Sequence, residues 1–153
     1  MNYHITNDAF KKSIVVFWAL WWLIAFWTDL VGAFAHLDML HATWAPDTNY
    51  PFLRESLQMY SVPDWIVALL FIVIILWSLL ATLAFGWACA SLNRNRTVWM
   101  RRAQTAFIIS LLYWLAFFLA DQVVMKFDLE MNHMVQGGFM LLTYLAMVLL
   151  PEK

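Results

Sequence analysis

Polar residues fall in short clusters along this chain, separated by four long apolar stretches. After Ser13 the first stretch runs to Phe34 with only Thr28 and Asp29 interrupting it, and the second, from Pro63, carries only Asp64, Ser78 and Thr82 before Ala90. A bilayer crossing takes about 20 mostly apolar residues in a helix. The pattern therefore predicts spans at about 13–34, 63–90, 103–122 and 134–150. The longest polar connection, about 35–62, has its own pattern. Pro46-Asp47-Thr48-Asn49 reads as a turn. Phe52, Leu53, Leu57 and Tyr60 then recur at helical spacing beside Arg54, Glu55 and Gln58. A short amphipathic surface helix is expected there, ending before Pro63 and either capping the bundle mouth or receiving a partner. The whole chain, 1–153, reads as one integral membrane domain. Its expected fold is all-α, a four-helix transmembrane bundle built from two tandem helical hairpins.

Composition removes a soluble alternative. Hydrophobic residues make up 64% of the 153 and charged residues 12%, against about 45–50% and 25% in ordinary globular domains. Charge placement gives an orientation. Lys11 and Lys12 precede the first span, Arg94, Arg96, Arg101 and Arg102 crowd the link between the second and third, and Lys153 follows the fourth. The other two connections hold Arg54 and Lys126 against Asp38, Asp47, Glu55, Asp64, Asp128 and Glu130. By the positive-inside rule both termini and the arginine-rich link are cytoplasmic, so a multi-pass membrane protein with its acidic loops outward is expected. The arginines serve as topology signals, and no nucleic-acid partner is expected. The expected partners are the lipid bilayer and either a membrane protein or a second copy of the chain. Cys89 is the single cysteine, which excludes an internal disulfide or a CxxC redox pair. Lys11-Lys12, an apolar run and "AFA" at 33–35 resemble a secretory signal. Asp29 and four tryptophans within that run argue instead for a retained span.

An internal repeat appears at an offset of 92 residues. "LWWLIAFWTDLV" (20–31) lies over "LYWLAFFLADQV" (112–123), with identity at Leu20/Leu112, Trp22/Trp114, Leu23/Leu115, Phe26/Phe118, Asp29/Asp121 and Val31/Val123. The same offset lays His41 over His133. Either the two halves converge on ordinary membrane-end chemistry, or a helical hairpin was duplicated about an axis along the membrane normal. At 1.5 Å per residue both aspartates fall roughly 25–30 Å from their basic pairs, near the outer interface.

Ionisable groups within a span are costly, so they face the bundle interior and find partners. Asp29 and Asp121 are accordingly the candidate binding residues, able to accept hydrogen bonds or hold a cation. His36, His41, His133 and Asp38 are candidate metal ligands, since imidazole with carboxylate suits a divalent transition metal. No pair has a diagnostic spacing: His36 and His41 diverge by about 140° on a helix. Histidines bonded only to solvent or a neighbouring carboxylate are the plainer expectation. Haem is not expected, because axial histidines at matched depth within the spans are absent from the pattern. Trp18, Trp21 and Trp22 form a packing stripe, while Trp27, Trp44, Trp65 and Trp99 sit where an interfacial aromatic belt belongs.

Thr28-Asp29, His41 and Asp47-Thr48-Asn49-Tyr50-Pro51, with Asn132 to Gln136 and the closing "LLPEK", resemble a bacterial family of predicted small four-span integral membrane proteins of unknown function. The resemblance implies the topology and a bacterial inner-membrane location, and no mechanism. Three function classes fit the sequence. The first is a non-enzymatic accessory or binding subunit of an inner-membrane assembly, given that no nucleotide loop, nucleophile constellation or haem pair is present. The second is a small proton- or cation-coupled transporter using Asp29 and Asp121. The third is a metal-binding membrane protein or enzyme using Asp29, His41, Asp121 and His133, which requires the chain to turn back between Asp29 and His41.

Overall fold

A computed structural model describes residues 7–41, 44 and 48–151. His4, Lys153 and the Pro46-Asp47 half of the expected turn lie outside the described residues. The helices are α1 (Asn7–His36), α2 (Asn49–Ser56), α3 (Asp64–Cys89), α4 (Arg96–Val124) and α5 (Phe127–Leu149), with a 3-10 turn at Gln58–Tyr60 after α2. No strand occurs among the described residues.

Three of the helices, α1, α3 and α4, are long and apolar enough to cross a membrane, not four. The exception is α5, where a span was expected at 134–150. Its first ten residues include Asp128, Glu130, Asn132, His133 and Gln136. From Gly137 to Leu149 the remaining apolar part covers about 20 Å, short of a hydrocarbon core of about 30 Å. Gln136 cuts the run that composition alone suggests.

Contacts at one end fix the directions in which the helices run. Lys11 Nζ donates to the Leu150 carbonyl at 2.7 Å, and Asn7 Nδ2 donates to the Pro151 carbonyl at 3.0 Å. Cys89 Sγ meets the Val15 carbonyl at 3.8 Å, and Lys12 Nζ lies 5.9 Å from the centre of the Trp99 ring. The start of α1, the end of α3, the start of α4 and the end of α5 therefore share one end, and the four helices run alternately up and down. The main contacts follow the order α1, α3, α4, α5.

The core is aromatic. Trp18, Trp22, Trp99, Phe85, Phe107, Met140 and Met147 are fully or almost fully buried, with alanines 81, 88, 103 and 106 allowing the helices to approach. Trp18 Nε1 donates to Thr143 Oγ1 at 2.9 Å, tying α1 to α5. Trp99, expected in the interfacial belt, is buried at 1% exposure, whereas Trp27, Trp44 and Trp65 are exposed. Within the apolar windows of α1, α3 and α4 only 28%, 22% and 28% of residues are buried. Ile24, Leu76, Leu83, Leu115 and Leu119 point outward, more than half exposed. An apolar outer surface around a bundle with this interior belongs in lipid.

Candidate functional site

The end opposite the Lys11–Leu150 contact holds the acids. Asp29 lies in the penultimate turn of α1 and Asp121 in the last turn of α4. Both line one cavity of about 240 Å³, together with Asn49, Phe71, Tyr113, Trp114, Phe117, His133 and Gln136. The matched aspartates of the two repeats thus occupy one site.

Each carboxylate has a partner from a following element. Asp29 Oδ1 accepts from Asn49 Nδ2 at 2.9 Å, and Ser78 on α3 also faces this carboxylate. Asp121 is buried to 3% exposure, and its Oδ2 lies 2.5 Å from His133 Nδ1. That contact is a hydrogen bond between Nδ1 and the carboxyl oxygen, donated by whichever of the two carries the shared proton. The His133 ring packs at 4.7 Å from the Phe117 ring and 5.9 Å from that of Trp114, so its orientation is set from two sides.

Two helix terminations build this end, and neither uses glycine. After α1, Asp38 adopts φ 56°, Met39 N donates to the Phe34 carbonyl and Asp38 N to the Ala35 carbonyl. After α4, Met125 adopts φ 53° and Lys126 N donates to the Asp121 carbonyl. These are the reversed hydrogen bonds of the left-handed helix stop. Aspartate tolerates that conformation because its short polar side chain bonds locally.

The cap over the cavity is α2. Phe52, Leu53, Ser56 and Leu57 face inward onto it. Tyr50 packs at 4.0 Å from the ring of His36 and 5.5 Å from that of Phe71. Arg54 pairs with Asp64 at 3.1 Å, and the Tyr60 hydroxyl donates to the Val123 carbonyl. The amphipathic helix expected on the outer loop is therefore a lid bonded to α1, α3 and α4.

Below the cavity lies an aromatic floor. Ring centres are 5.0 Å apart for Trp22 and Tyr113, 4.7 Å for Tyr113 and Phe117, and 5.7 Å for Trp21 and Trp114. Gly137 admits this packing on the α5 side. A Cβ there would meet Trp114 Cβ at 3.0 Å.

The expected metal ligands are not brought together. His133 is at the cavity, His36 stacks on Tyr50 at the outer side of the lid, and His41 and Asp38 are exposed beyond α1. Among the described residues no three His, Cys, Asp or Glu side chains approach closely enough to hold one ion. His41 and His133, aligned by the repeat, play different parts: the place His133 takes on Asp121 is taken on Asp29 by Asn49. Sequence reasoning missed Asn49 because it sits 20 residues from its partner, inside the turn motif. The Asn in that motif was the available signal.

Compared with family models, curated proteins and solved structures, the chain matches none of them. Function is read from the cavity's chemistry.

Proposed function

We propose that the protein is a non-enzymatic binding protein of a bacterial inner membrane, whose site is the lidded cavity and whose ligand is a proton or a cation. The observation that carries this reading is the convergence of Asp29 and Asp121 on one cavity with a single imidazole as the only basic group lining it among the described residues. Two carboxylates facing one imidazole leave negative charge uncompensated in a confined, largely apolar space. Such charge is neutralised either by protonation or by a bound cation. The lid and the partly apolar walls strengthen the attraction by lowering the local dielectric.

The basic residues at the opposite end, Lys11, Lys12 and the four arginines from 94 to 102, support an orientation in which the cavity faces outward. Cysteine labelling of a Cys89→Ser background tests this: Ser61→Cys is to react with a membrane-impermeant reagent in intact cells, and Thr97→Cys only after lysis. The reverse result would overturn the orientation.

Infrared difference spectroscopy between acid and alkaline buffer tests the site. Wild-type protein is expected to show a titrating carboxyl band, or a band that a bound cation displaces, and Asp29→Asn is expected to lose it. A spectrum without any such band, insensitive to added cations, would sink the reading.

A further inference from the structure

We infer that the ligand of the lidded cavity is a small organic cation of the alkylammonium type. This rests on the cation-site reading above and narrows its ligand class.

Four observations converge. Sign comes first: Asp29 and Asp121 face the cavity, the partners shown for Asp29 are the neutral Asn49 and Ser78, and no lysine or arginine lines the space among the described residues. An anion would meet like charge, and a neutral apolar molecule would leave the carboxylates desolvated without compensation. Size comes second. About 240 Å³ corresponds to roughly eight waters at about 30 Å³ each, far more than a bare ion fills. Wall chemistry is third: Phe71, Tyr113, Trp114 and Phe117 present aromatic groups, whose negative ring faces attract a desolvated ammonium while accommodating its carbon substituents. Ligand number is fourth. A bare divalent metal calls for three or four closely placed donors, and the described residues provide no such group.

The lid follows from the same geometry. A cation approaching Asp29 competes with Asn49 for the carboxylate oxygen, and Asn49 is the first residue of α2. Ligand binding is therefore expected to alter hydrogen exchange across residues 49–60 more than in α3.

The test uses the full chain in detergent, titrated with tetramethylammonium and butylammonium and, as a neutral molecule of similar size, tert-butanol. Tryptophan fluorescence is the readout. Saturable binding of the organic cations is expected, with tert-butanol giving none. Asp29→Asn, a near-isosteric change, is expected to weaken binding at least about tenfold, the ratio corresponding to loss of one charge-assisted contact. Phe117→Leu keeps both carboxylates and is expected to weaken cation binding severalfold, so the inference does not depend on one variant folding. Equal response to tert-butanol would overturn it. No response to any organic cation would also overturn it; a titrating Asp29 band in the infrared would then leave the broader proton-or-cation reading standing, and absence of that band would remove both.

Discussion

Asp121 is shielded from solvent almost completely, and one imidazole supplies its shown charge-assisted hydrogen bond. His133→Ala strands that carboxylate and is expected to cost about 1.5–3 kcal/mol. Asp121→Asn retains an acceptor for the imidazole proton and is expected to cost less. Thermal unfolding of the two variants in the same detergent checks the order, and a reversed order would show that stranding the carboxylate is not the larger loss. The tryptophans give a second contrast. Trp18 Nε1 is bonded to Thr143, whereas the indole nitrogens of Trp22 and Trp114 are buried with no partner among the described residues. An unsatisfied buried donor costs about 1–3 kcal/mol, so Trp114→Phe removes a penalty along with some buried area. Trp18→Phe loses area and the tie between α1 and α5 that Thr143 Oγ1 accepts, while that hydroxyl keeps its bond to the Met140 carbonyl. It is expected to lower the melting temperature more than Trp114→Phe, and equal shifts would contradict this account.

Among the elements, α2 is held by side chains at both ends and packs on the site between them. Asn49→Ala removes the lid's bond to Asp29, worth about 1.5–3 kcal/mol for a charged acceptor. Amide exchange over 49–60 is expected to accelerate while α1 and α3 keep their protection; unchanged exchange would show that packing alone holds the lid. On the opposite side, Gly137→Ala drives a Cβ against the Cβ of Trp114, which cannot swing away as a side-chain tip would. Overpacking of this kind costs about 1–3 kcal/mol. One turn earlier on the same face stands His133, so the substitution is also expected to weaken cavity binding. Much of this level was legible in the sequence. Hydrophobic runs located α1, α3 and α4, and the spacing of Phe52, Leu53, Leu57 and Tyr60 located the lid. The end of α1 at His36 lies close to the expected span end at about 34, but its left-handed stop was not legible, because Asp38 leaves no composition signal as glycine or proline would. Nor was the polar half of α5, whose apolar second half reads like part of a longer span.

Across the whole molecule, the bundle is pinned at one end and hollow at the other. The pin is Lys11, at 1% exposure, whose ammonium binds the last turn of α5. Cations at a helix C-terminus contribute up to about 2 kcal/mol in partly buried settings. Lys11→Met is therefore expected to lower stability by about that amount and to loosen α5 first, with exchange rising in Gly137–Leu149 before α3. Uniform loosening would refute the pin. Sequence treated Lys11 as a topology signal only, since burial of a charged head group depends on a carbonyl 139 positions away. The hollow end shows the same limit from the other side. Scarcity of charge singled out Asp29 and Asp121, and the repeat placed them at one depth. Which side chain answers each acid was decided by packing: a helix face for His133 and a lid for Asn49. Imidazole and carboxylate types, read without that packing, left room for a metal cluster that the described residues do not assemble.

The aromatic floor also makes the bundle optically active in a specific way. Trp21 and Trp22 on α1 lie 5.7 Å and 6.1 Å from Trp114 on α4, and 5.0 Å from each other. At such separations the indole transitions mix, and the three rings absorb as one chiral chromophore. The far-ultraviolet circular dichroism should carry a two-signed couplet that Trp114→Phe reduces, the remainder coming from Trp18, Trp21 and Trp22 on α1. The part of its amplitude lost with Trp114 reports, without any attached label, how closely α1 and α4 are held together.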